Sequence, residues 1–199
     1  MVAVVDYGVG NIGSVTSMLD KIGASWSVTS SPEGIEAASK LILPGVGHYD
    51  KAVHELHQRG LMEPLHQAAL QDRKPTLGIC LGAQLMGIDS EEGQLQGLGW
   101  VKMRVRRFPS PSVRVPHMGW NWVEEAKPGL LPRMTERQRY YFVHSYYMDC
   151  LDLEDVAATS EYGQKFVSAF RRDNISGVQF HPEKSHRFGL NLLREFVGA

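Results

Sequence analysis

The sequence predicts an α/β fold built on an open, mostly parallel sheet with helices on both faces and an antiparallel extension. In the first half of the chain, apolar runs of strand type alternate with segments of helical spacing, which is the pattern of a parallel sheet covered on both faces. From about residue 98 onward, short strand-type runs are separated by polar turns, which is typical of an antiparallel or mixed sheet. The length of 199 residues suits one domain with a proper core.

Four strands and three helices are expected in the first half. The clearest helix is 11–22, which has apolar residues at helical spacing and stops at Gly23, a residue suited to the position after a helix. The third strand is closed by Pro44-Gly45, and the fourth leads into a corner around Cys80, with Leu85 in the beginning of a helix. The expected strands are 2–6, 25–29, 40–43 and 76–79, and the expected helices are 11–22, 49–59 and 61–72.

The second half contributes short strands and a final helix. The strands are 101–108, 140–147, 156–159, 166–170 and 175–180, and the helix is 191–197. No repeat, low-complexity tract or linker interrupts the chain. We therefore expect residues 1–199 to form one domain.

Composition argues against several classes of function. The net charge of -1 leaves no basic excess for binding nucleic acid. No apolar run approaches the roughly 20 residues of a membrane span, and residues 1–6 lack the features of a signal peptide. The two cysteines, Cys80 and Cys150, then favour a reduced setting. We expect a cytoplasmic protein with no nucleic-acid partner and no membrane partner.

A cysteine lies at a strand-to-helix corner, with glycine two residues to either side. Gly78-x-Cys80-x-Gly82 has the form of a nucleophile elbow, with cysteine where hydrolases place serine. Such a turn exposes the side chain at the sheet edge, while the helix N-terminus favours the thiolate. The backbone N–H of Leu81 would point to where an oxyanion forms. The alternative is that Cys80 is a small buried hydrophobic residue.

A base for this thiol is available near the C-terminus. His181 and Glu183 follow a strand-type run and lie two residues apart, so an extended chain would put both side chains on one side. His181 would then relay a proton while Glu183 fixes its tautomer, as in a nucleophile–base–acid triad. The alternative for His181-Pro182-Glu183 alone is a surface turn.

Together these motifs resemble those of the triad-type, or class I, glutamine amidotransferases. Several further stretches look like the glutaminase subunits of imidazole glycerol phosphate synthase, an enzyme of the histidine pathway. They are residues 6–11 (DYGVGN), 43–47 (LPGVG), 116–121 (PHMGWN), 141–146 (YFVHSY) and 177–185 (GVQFHPEKS). The resemblance extends from the first strand to near the last helix, and it implies the flavodoxin-like class I glutamine amidotransferase fold.

The resemblance also implies a role for each matching residue. Cys80 would attack the carboxamide of L-glutamine, His181 would transfer the proton to departing ammonia, and Glu183 would hold His181. Gln84, four residues after the thiol, would bind the substrate or the intermediate. The loop Gly45-Val46-Gly47 would supply a second oxyanion donor. No cofactor and no metal are implied.

A cyclase partner is implied as well, because this chain has no room for a site that accepts ammonia. In the resembled enzyme the cyclase is a (β/α)₈ barrel, a fold of about 250 residues, so it must be a separate chain in a heterodimer. That barrel uses ammonia to convert the phosphoribulosyl-formimino-AICAR phosphate (PRFAR) intermediate into imidazole glycerol phosphate and AICAR. The resemblance places four residues near the face through which ammonia leaves: Asn11, Trp120, Tyr140 and Lys184.

Other interpretations carry less weight. Gly8-x-Gly10-x-x-Gly13 matches the dinucleotide fingerprint, but no acidic residue closes the second strand as that motif requires. A pair of histidines, His54 and His57, lacks further metal ligands. Within the resembled class, a glutaminase serving another synthase, such as pyridoxal 5′-phosphate synthase, is the alternative. A catalytically silent binding module on the same fold is a second one.

Overall fold

A computed structural model describes residues 1–109, 113–134 and 136–198; Ala199, the end of the expected domain, lies outside the described residues. The described part contains a single twelve-stranded sheet. Its strands are β1 (Val2–Val5), β2 (Trp26–Thr29), β3 (Lys40–Gly45), β4 (Thr76–Cys80), β5 (Asp89–Ser90), β6 (Met103–Arg107), β7 (His117–Glu125), β8 (Gln138–His144), β9 (Tyr146–Cys150), β10 (Val156–Glu161), β11 (Lys165–Arg172) and β12 (Ile175–Val178).

Six α-helices flank the sheet within the described residues. They are α1 (Ile12–Lys21), α2 (Pro32–Ala37), α3 (Tyr49–Gln58), α4 (Met62–His66), α5 (Leu81–Gln84) and α6 (His186–Gly198). Single π or 3₁₀ turns occupy Gln67–Gln71, Leu153–Asp155 and Pro182–Lys184. None of the helices described is both long enough and apolar enough to cross a lipid bilayer.

The sheet has a parallel half and an antiparallel half, which confirms the predicted fold class. Strands β2, β1, β3, β4 and β12 lie side by side and pair in parallel. Beyond β12 the order continues β11, β10, β7 and β8, all antiparallel pairs, and a branch of β9, β6 and β5 leaves from β11. The last strand in sequence therefore lies in the middle of the sheet.

Two hydrophobic cores lie on opposite faces of the sheet. The strand β1 illustrates the division, because Ala3 and Val5 belong to one core while Val2 and Val4 belong to the other. Helices α2, α3 and α4 pack in the first core, and helices α1 and α6 pack in the second. The parallel strands thus need apolar side chains on both sides, which explains their continuous apolar runs.

The helix predicted at 11–22 ends as expected. The N–H of Gly23 donates to the carbonyl of Asp20, and the N–H of Ala24 donates to the carbonyl of Leu19. These two bonds form a Schellman motif, and it requires the left-handed conformation that Gly23 adopts at φ 70°.

Several expected boundaries were wrong, and the reasons are local. The helix after the corner begins at Leu81 and is already ending at Leu85. The strand β3 continues through Pro44 to Gly45. Beyond Ile42 it pairs only with β4, so backbone N–H donors towards a second neighbouring strand are not needed, and proline is tolerated there. The expected helix 61–72 is divided into α4 and a π turn.

Other elements were not anticipated. The helix α2 follows Ser31, whose side chain accepts a hydrogen bond from the Gly34 N–H, with Pro32 as the first helical residue. These are ordinary helix-start signals in a segment for which no helix was expected. The long strand β7 was missed, and the expected strand 140–147 is two strands, β8 and β9, separated at Ser145.

Candidate active site

Two parallel strands bring the cysteine corner and the histidine to the same edge of the sheet. Strand β4 pairs directly with β12, with Gly78 opposite Gly177 and Ile79 opposite Val178. Cys80 ends β4, and His181 follows β12 after two further residues. Carboxyl ends of neighbouring parallel strands are where open α/β sheets hold ligands.

The backbone at Cys80 has the strained turn that the glycine spacing predicted. Cys80 has φ 52° and ψ -110°, in the positive-φ region that few non-glycine residues enter. A Cβ at Gly78 would come within 2.6 Å of the Ala83 Cα, and one at Gly82 would overlap the carbonyl oxygen of Leu43. Both glycines are therefore required by close backbone approach, and they allow the chain to turn sharply around the thiol.

His181 and Glu183 form a buried, hydrogen-bonded pair. The His181 Nδ1 lies 2.7 Å from Glu183 Oε1, and both side chains are 1% exposed. The chain between them differs from the expected extended form, because His181 is extended but Pro182–Lys184 is a 3₁₀ turn. The carboxylate can only accept, so Nδ1 carries the proton, and Nε2 has no hydrogen-bond partner among the described residues.

The surroundings of His181 favour its protonated form. Burial by itself lowers the pKa of an imidazole, but the Cys80 sulfur and the Glu183 carboxylate together outweigh burial and raise the pKa of His181 to about 10. His181 therefore bears a proton at neutral pH and faces the Cys80 sulfur. A cysteine beside a protonated histidine is in the environment of a reactive thiol.

A serine that the sequence motifs did not single out holds the histidine segment in place. The Ser185 hydroxyl donates to the His181 carbonyl at 2.6 Å and accepts from the Tyr141 N–H at 2.9 Å. The N–H of His181 in turn donates to the Tyr141 carbonyl at 2.9 Å. Strand β8 thus fixes the turn that carries the histidine and its carboxylate.

A cavity of about 650 Å³ opens over the thiol. Its lining includes Cys80, His181 and the loop residues Val46 and Gly47. The loop lies beside the thiol because Gly45 is opposite Cys80 in the pairing of β3 with β4. Gly47 has φ 105°, a conformation that explains the glycine there.

Leu81 and Gln84 also line this cavity, on helix α5. The helix has only four residues, so its dipole at Cys80 is weaker than expected from the sequence. The amide nitrogen of Gln84 donates to the Tyr146 carbonyl at 3.1 Å and to Gln179 Oε1 at 3.0 Å. Both amide hydrogens are used internally, and only the Gln84 carbonyl oxygen is left to meet a ligand.

Glu92 is a cavity residue that the sequence motifs did not indicate. It lines the cavity, and its Oε2 accepts a hydrogen bond from the Tyr49 N–H at 2.9 Å. The carboxylate gives the cavity a negative group apart from the His181–Glu183 pair. No spacing or motif around Glu92 could have indicated this, because its position depends on a contact between segments 43 residues apart.

The four residues expected near an exit face have different positions. Asn11 and Lys184 line the cavity, and Trp120 is 41% exposed and stacks on His186. The expectation for Tyr140 was wrong. This residue is fully buried and stacks on Phe180, so it cannot form part of a docking surface.

The residue that does lie beside Trp120 is Tyr141. It is the cross-strand partner of Trp120 in the pairing of β7 with β8, and Lys184 Nζ lies 5.9 Å from its ring. Side chains alternate between the two faces of a strand, so Tyr141 points to the opposite face of β8 from Tyr140.

The remaining ionisable groups have simpler environments. His54 and His57 are exposed on α3, and the described residues include no cluster of three or more potential metal ligands. Arg104 pairs with Asp89 at 2.6 Å. Burial, aided by nearby aspartates, raises the pKa of Cys150 to about 12, so this thiol is protonated at neutral pH.

Fold and site together define the class of protein. The sequence model of the family Glutamine amidotransferase class-I matches residues 3–198, and the chain belongs to this family. Among solved structures, one described as a glutamine amidotransferase has a TM-score of 0.78 at 19% identity and covers 100% of both chains. The structure of PurLQS from Thermotoga maritima has a TM-score of 0.76 at 16% identity, covering 99% of this chain and 97% of that one. These likenesses concern the fold.

Curated relatives narrow the family further. The chain is 49% identical over 199 residues to imidazole glycerol phosphate synthase subunit HisH 2 of Pseudomonas aeruginosa, covering 99% of this chain and 98% of the relative. It is 47% identical over 199 residues to subunit HisH 2 of Methanococcus maripaludis, with the same coverage. It is 47% identical over 201 residues to subunit HisH of Nostoc punctiforme, covering 99% and 95%. The chain thus falls within the HisH group, the glutaminase subunits of imidazole glycerol phosphate synthase.

Proposed function

We propose that this chain hydrolyses L-glutamine to glutamate and ammonia at Cys80, His181 and Glu183, and that it delivers the ammonia to a separate cyclase subunit in histidine biosynthesis. The observation that carries the proposal is the buried His181, which lines the same cavity as Cys80. Glu183 holds its Nδ1, and its Nε2 has no hydrogen-bond partner in the part of the chain that the structure describes. Family membership supplies the reaction class, and this geometry supplies the roles.

In the first half-reaction, the Cys80 thiolate adds to the carboxamide carbon of glutamine. The carbonyl oxygen becomes an oxyanion, and the Leu81 N–H at the start of α5 is the nearest backbone donor expected for it. Protonated His181 gives the Nε2 proton to the departing nitrogen, so that ammonia leaves and a glutamyl thioester remains. Glu183 stabilises the imidazolium before that transfer.

In the second half-reaction, neutral His181 takes a proton from water, which attacks the thioester carbon. The carbon–sulfur bond breaks with its electron pair going to sulfur, and glutamate leaves after its new carboxyl group loses a proton to solvent. The proton from water stays on His181, so the thiolate–imidazolium pair is restored. Val46 and Gly47 line the cavity, and the loop Gly45-Val46-Gly47 is proposed as the second source of an oxyanion N–H. Gly47 permits peptide orientations in this loop that other residues would resist.

Recognition of glutamine fits the polar groups of the cavity. The substrate carries an ammonium group, and Glu92 is the lining carboxylate suited to pair with it. The free carbonyl oxygen of Gln84 can accept from the substrate carboxamide or ammonium. The cavity of about 650 Å³ is within the range of small-molecule sites.

The partner in this proposal is a (β/α)₈-barrel cyclase that forms a heterodimer with this chain. Residues 1–199 act as one glutamine amidotransferase domain, and Asn11, Trp120 and Lys184 face the partner at the ammonia exit. The cyclase converts PRFAR to imidazole glycerol phosphate and AICAR. A cytoplasmic setting belongs to the proposal because the reaction needs Cys80 as a free thiol.

The test is glutamate release from glutamine by the chain alone, with the barrel cyclase, and with the cyclase and PRFAR together. Release that is strong in the full mixture and absent in Cys80→Ala is expected. Cys150→Ser, which removes the buried second thiol, is the matched control and should retain activity. High release by the chain alone, unchanged by the cyclase, would keep the thiol chemistry and overturn the assignment to this synthase in favour of a glutaminase for another one.

A further inference from the structure

A second amide lies against the reactive sulfur. Gln179 is fully buried, and its amide nitrogen is 3.7 Å from Cys80 Sγ. Its other end, Oε1, accepts from the Gln84 amide nitrogen at 3.0 Å, and that same nitrogen donates to the Tyr146 carbonyl at 3.1 Å. These groups form a continuous chain from a backbone carbonyl to the thiol.

The direction of this chain follows from its fixed end. The nitrogen and oxygen of an amide side chain have similar shapes, so their orientation must be inferred from their partners. The Tyr146 carbonyl can only accept, which requires the NH₂ group of Gln84 at that point. That NH₂ group also faces Gln179, so the Gln179 atom there must be its oxygen. The NH₂ group of Gln179 is then the end that faces Cys80.

The same carbonyl is also contacted by a buried histidine, His144, which is paired with a second buried histidine, His117. His144 Nδ1 lies 2.7 Å from the Tyr146 carbonyl and must carry a proton to bond there. Its Nε2 then accepts from His117 Nδ1 at 2.9 Å. Burial lowers the pKa of His144 to about 3 and that of His117 to about 4, so both rings are neutral at neutral pH and this pattern persists.

We propose that Gln179 stabilises the Cys80 thiolate by donating an amide N–H to its sulfur, in an orientation fixed by the Tyr146 carbonyl through Gln84. The inference rests on the proposed function and adds a residue to the same site. A hydrogen bond to a charged acceptor is stronger than one to a neutral acceptor, so the donor favours thiolate over thiol. Gln179 is not among the residues that line the cavity, so its own side chain is not placed to contact the substrate.

Other ionisable groups around Cys80 act alongside this donor. Protonated His181 faces the sulfur from the end of β12, backed by Glu183. The buried Tyr7 follows β1, and burial together with the Cys80 charge raises the pKa of its phenol, which stays neutral. Gln179 and His181 thus both favour the thiolate, and Gln179 is the one of these two that carries no charge.

The test replaces the Gln179 amide N–H that faces the sulfur and keeps the oxygen that faces Gln84. Gln179→Glu keeps an oxygen towards Gln84 and puts a second oxygen against the sulfur, and in the ionised carboxylate this oxygen cannot donate. Gln179→Met removes the donor without adding charge and serves if the glutamate variant does not fold. Gln71→Glu, at an exposed position, is the matched control for the change in charge.

The measurement is the pH dependence of Cys80 alkylation by iodoacetamide on the full chain, with Cys80→Ala as the blank. We expect Gln179→Glu to raise the apparent pKa of the thiol by about one unit or more and to slow alkylation at neutral pH about tenfold. Gln179→Met should give a smaller rise, and Gln71→Glu none. Folded Gln179→Glu and Gln179→Met proteins with an unchanged apparent pKa would overturn the proposal.

Alkylation needs no glutamine, so the outcome is separate from that of the proposed function. A shifted pKa in a chain that never releases glutamate, even with the cyclase and PRFAR, would support the role of Gln179 while the proposed function fails. Where glutamate is released, kcat should fall and KM should stay constant. A raised KM with unchanged kcat would instead assign Gln179 to substrate binding and count against the inference.

Discussion

The negative charge of Glu183 beside His181 can be tested by a substitution that removes the charge and keeps the shape of the side chain. Glu183→Gln keeps an oxygen that can accept from Nδ1, 2.7 Å away, but removes the negative charge. A hydrogen bond to a charged partner is about twice as strong as a neutral one, a difference of about 1–2 kcal/mol. Since that energy stabilises the imidazolium that forms when His181 takes a proton from water in the second half-reaction, we expect kcat to fall about 5- to 30-fold.

The same substitution should change the pH profile in one direction. Glu183 helps to raise the pKa of His181 to about 10, so its removal lowers that pKa, and the imidazolium is lost at a lower pH. The alkaline limb of kcat should move down by about one unit. The assay is glutamate release between neutral and alkaline pH in the presence of the cyclase and PRFAR.

Glu154→Gln is the matched control, because Glu154 is 86% exposed and pairs only with Lys127 among the ion pairs described. It should leave both kcat and the alkaline limb in place. An unchanged kcat and an unmoved limb in Glu183→Gln would refute the role of the Glu183 charge in stabilising the imidazolium.

Three further predictions concern packing, acid stability and docking. Gly82→Ala should destabilise the fold by several kcal/mol in denaturant unfolding, whereas Gly13→Ala, which meets nothing within 4 Å, should be neutral or stabilising. Burial lowers the pKa values of His117 and His144, so their contribution to stability is present above pH 6.5 and is lost as the pH falls through about 4 and 3. The urea midpoint of unfolding should therefore fall over this pH window. The fall should be smaller in His117→Phe. Trp120→Ala should weaken binding of the cyclase about tenfold by calorimetry.

Each of these three predictions would be contradicted by a specific result. Equal unfolding free energies for the two alanine variants would contradict the close approach at Gly82. An acid profile of His117→Phe identical to that of the parent would mean that other groups dominate acid unfolding. Unchanged affinity in Trp120→Ala would remove the exposed indole from the docking surface.

The proposed nucleophile and base could be placed together from the sequence because each has a local signal. Cys80 lies between spaced glycines and His181 lies before a proline and a glutamate, and both follow strand-type runs. Once a parallel sheet is predicted, strand ends at a common edge bring such residues together. Local patterning and general sheet geometry were sufficient for this part of the site.

The supporting residues could not be predicted in this way. Gln179 meets Gln84 across 95 residues, and Ser185 meets Tyr141 across 44, so their roles exist only once the sheet has formed. The error at Tyr140 has a different cause. Two adjacent tyrosines both suit a strand, and sequence alone does not decide which faces the core, because a shift of one residue exchanges the two faces.

The position of β12 in the middle of the sheet has a consequence for synthesis. This strand pairs with both β4 and β11, yet it is the last of the described strands in chain order. Until residues 175–185 emerge from the ribosome, the thiol at Cys80 has no proposed base beside it, and the edge of β4 has no neighbour on that side. A growing chain therefore carries an open strand edge, a site of aggregation, and synthesis of residues 175–185 covers that edge at the same time as it brings His181 to the thiol.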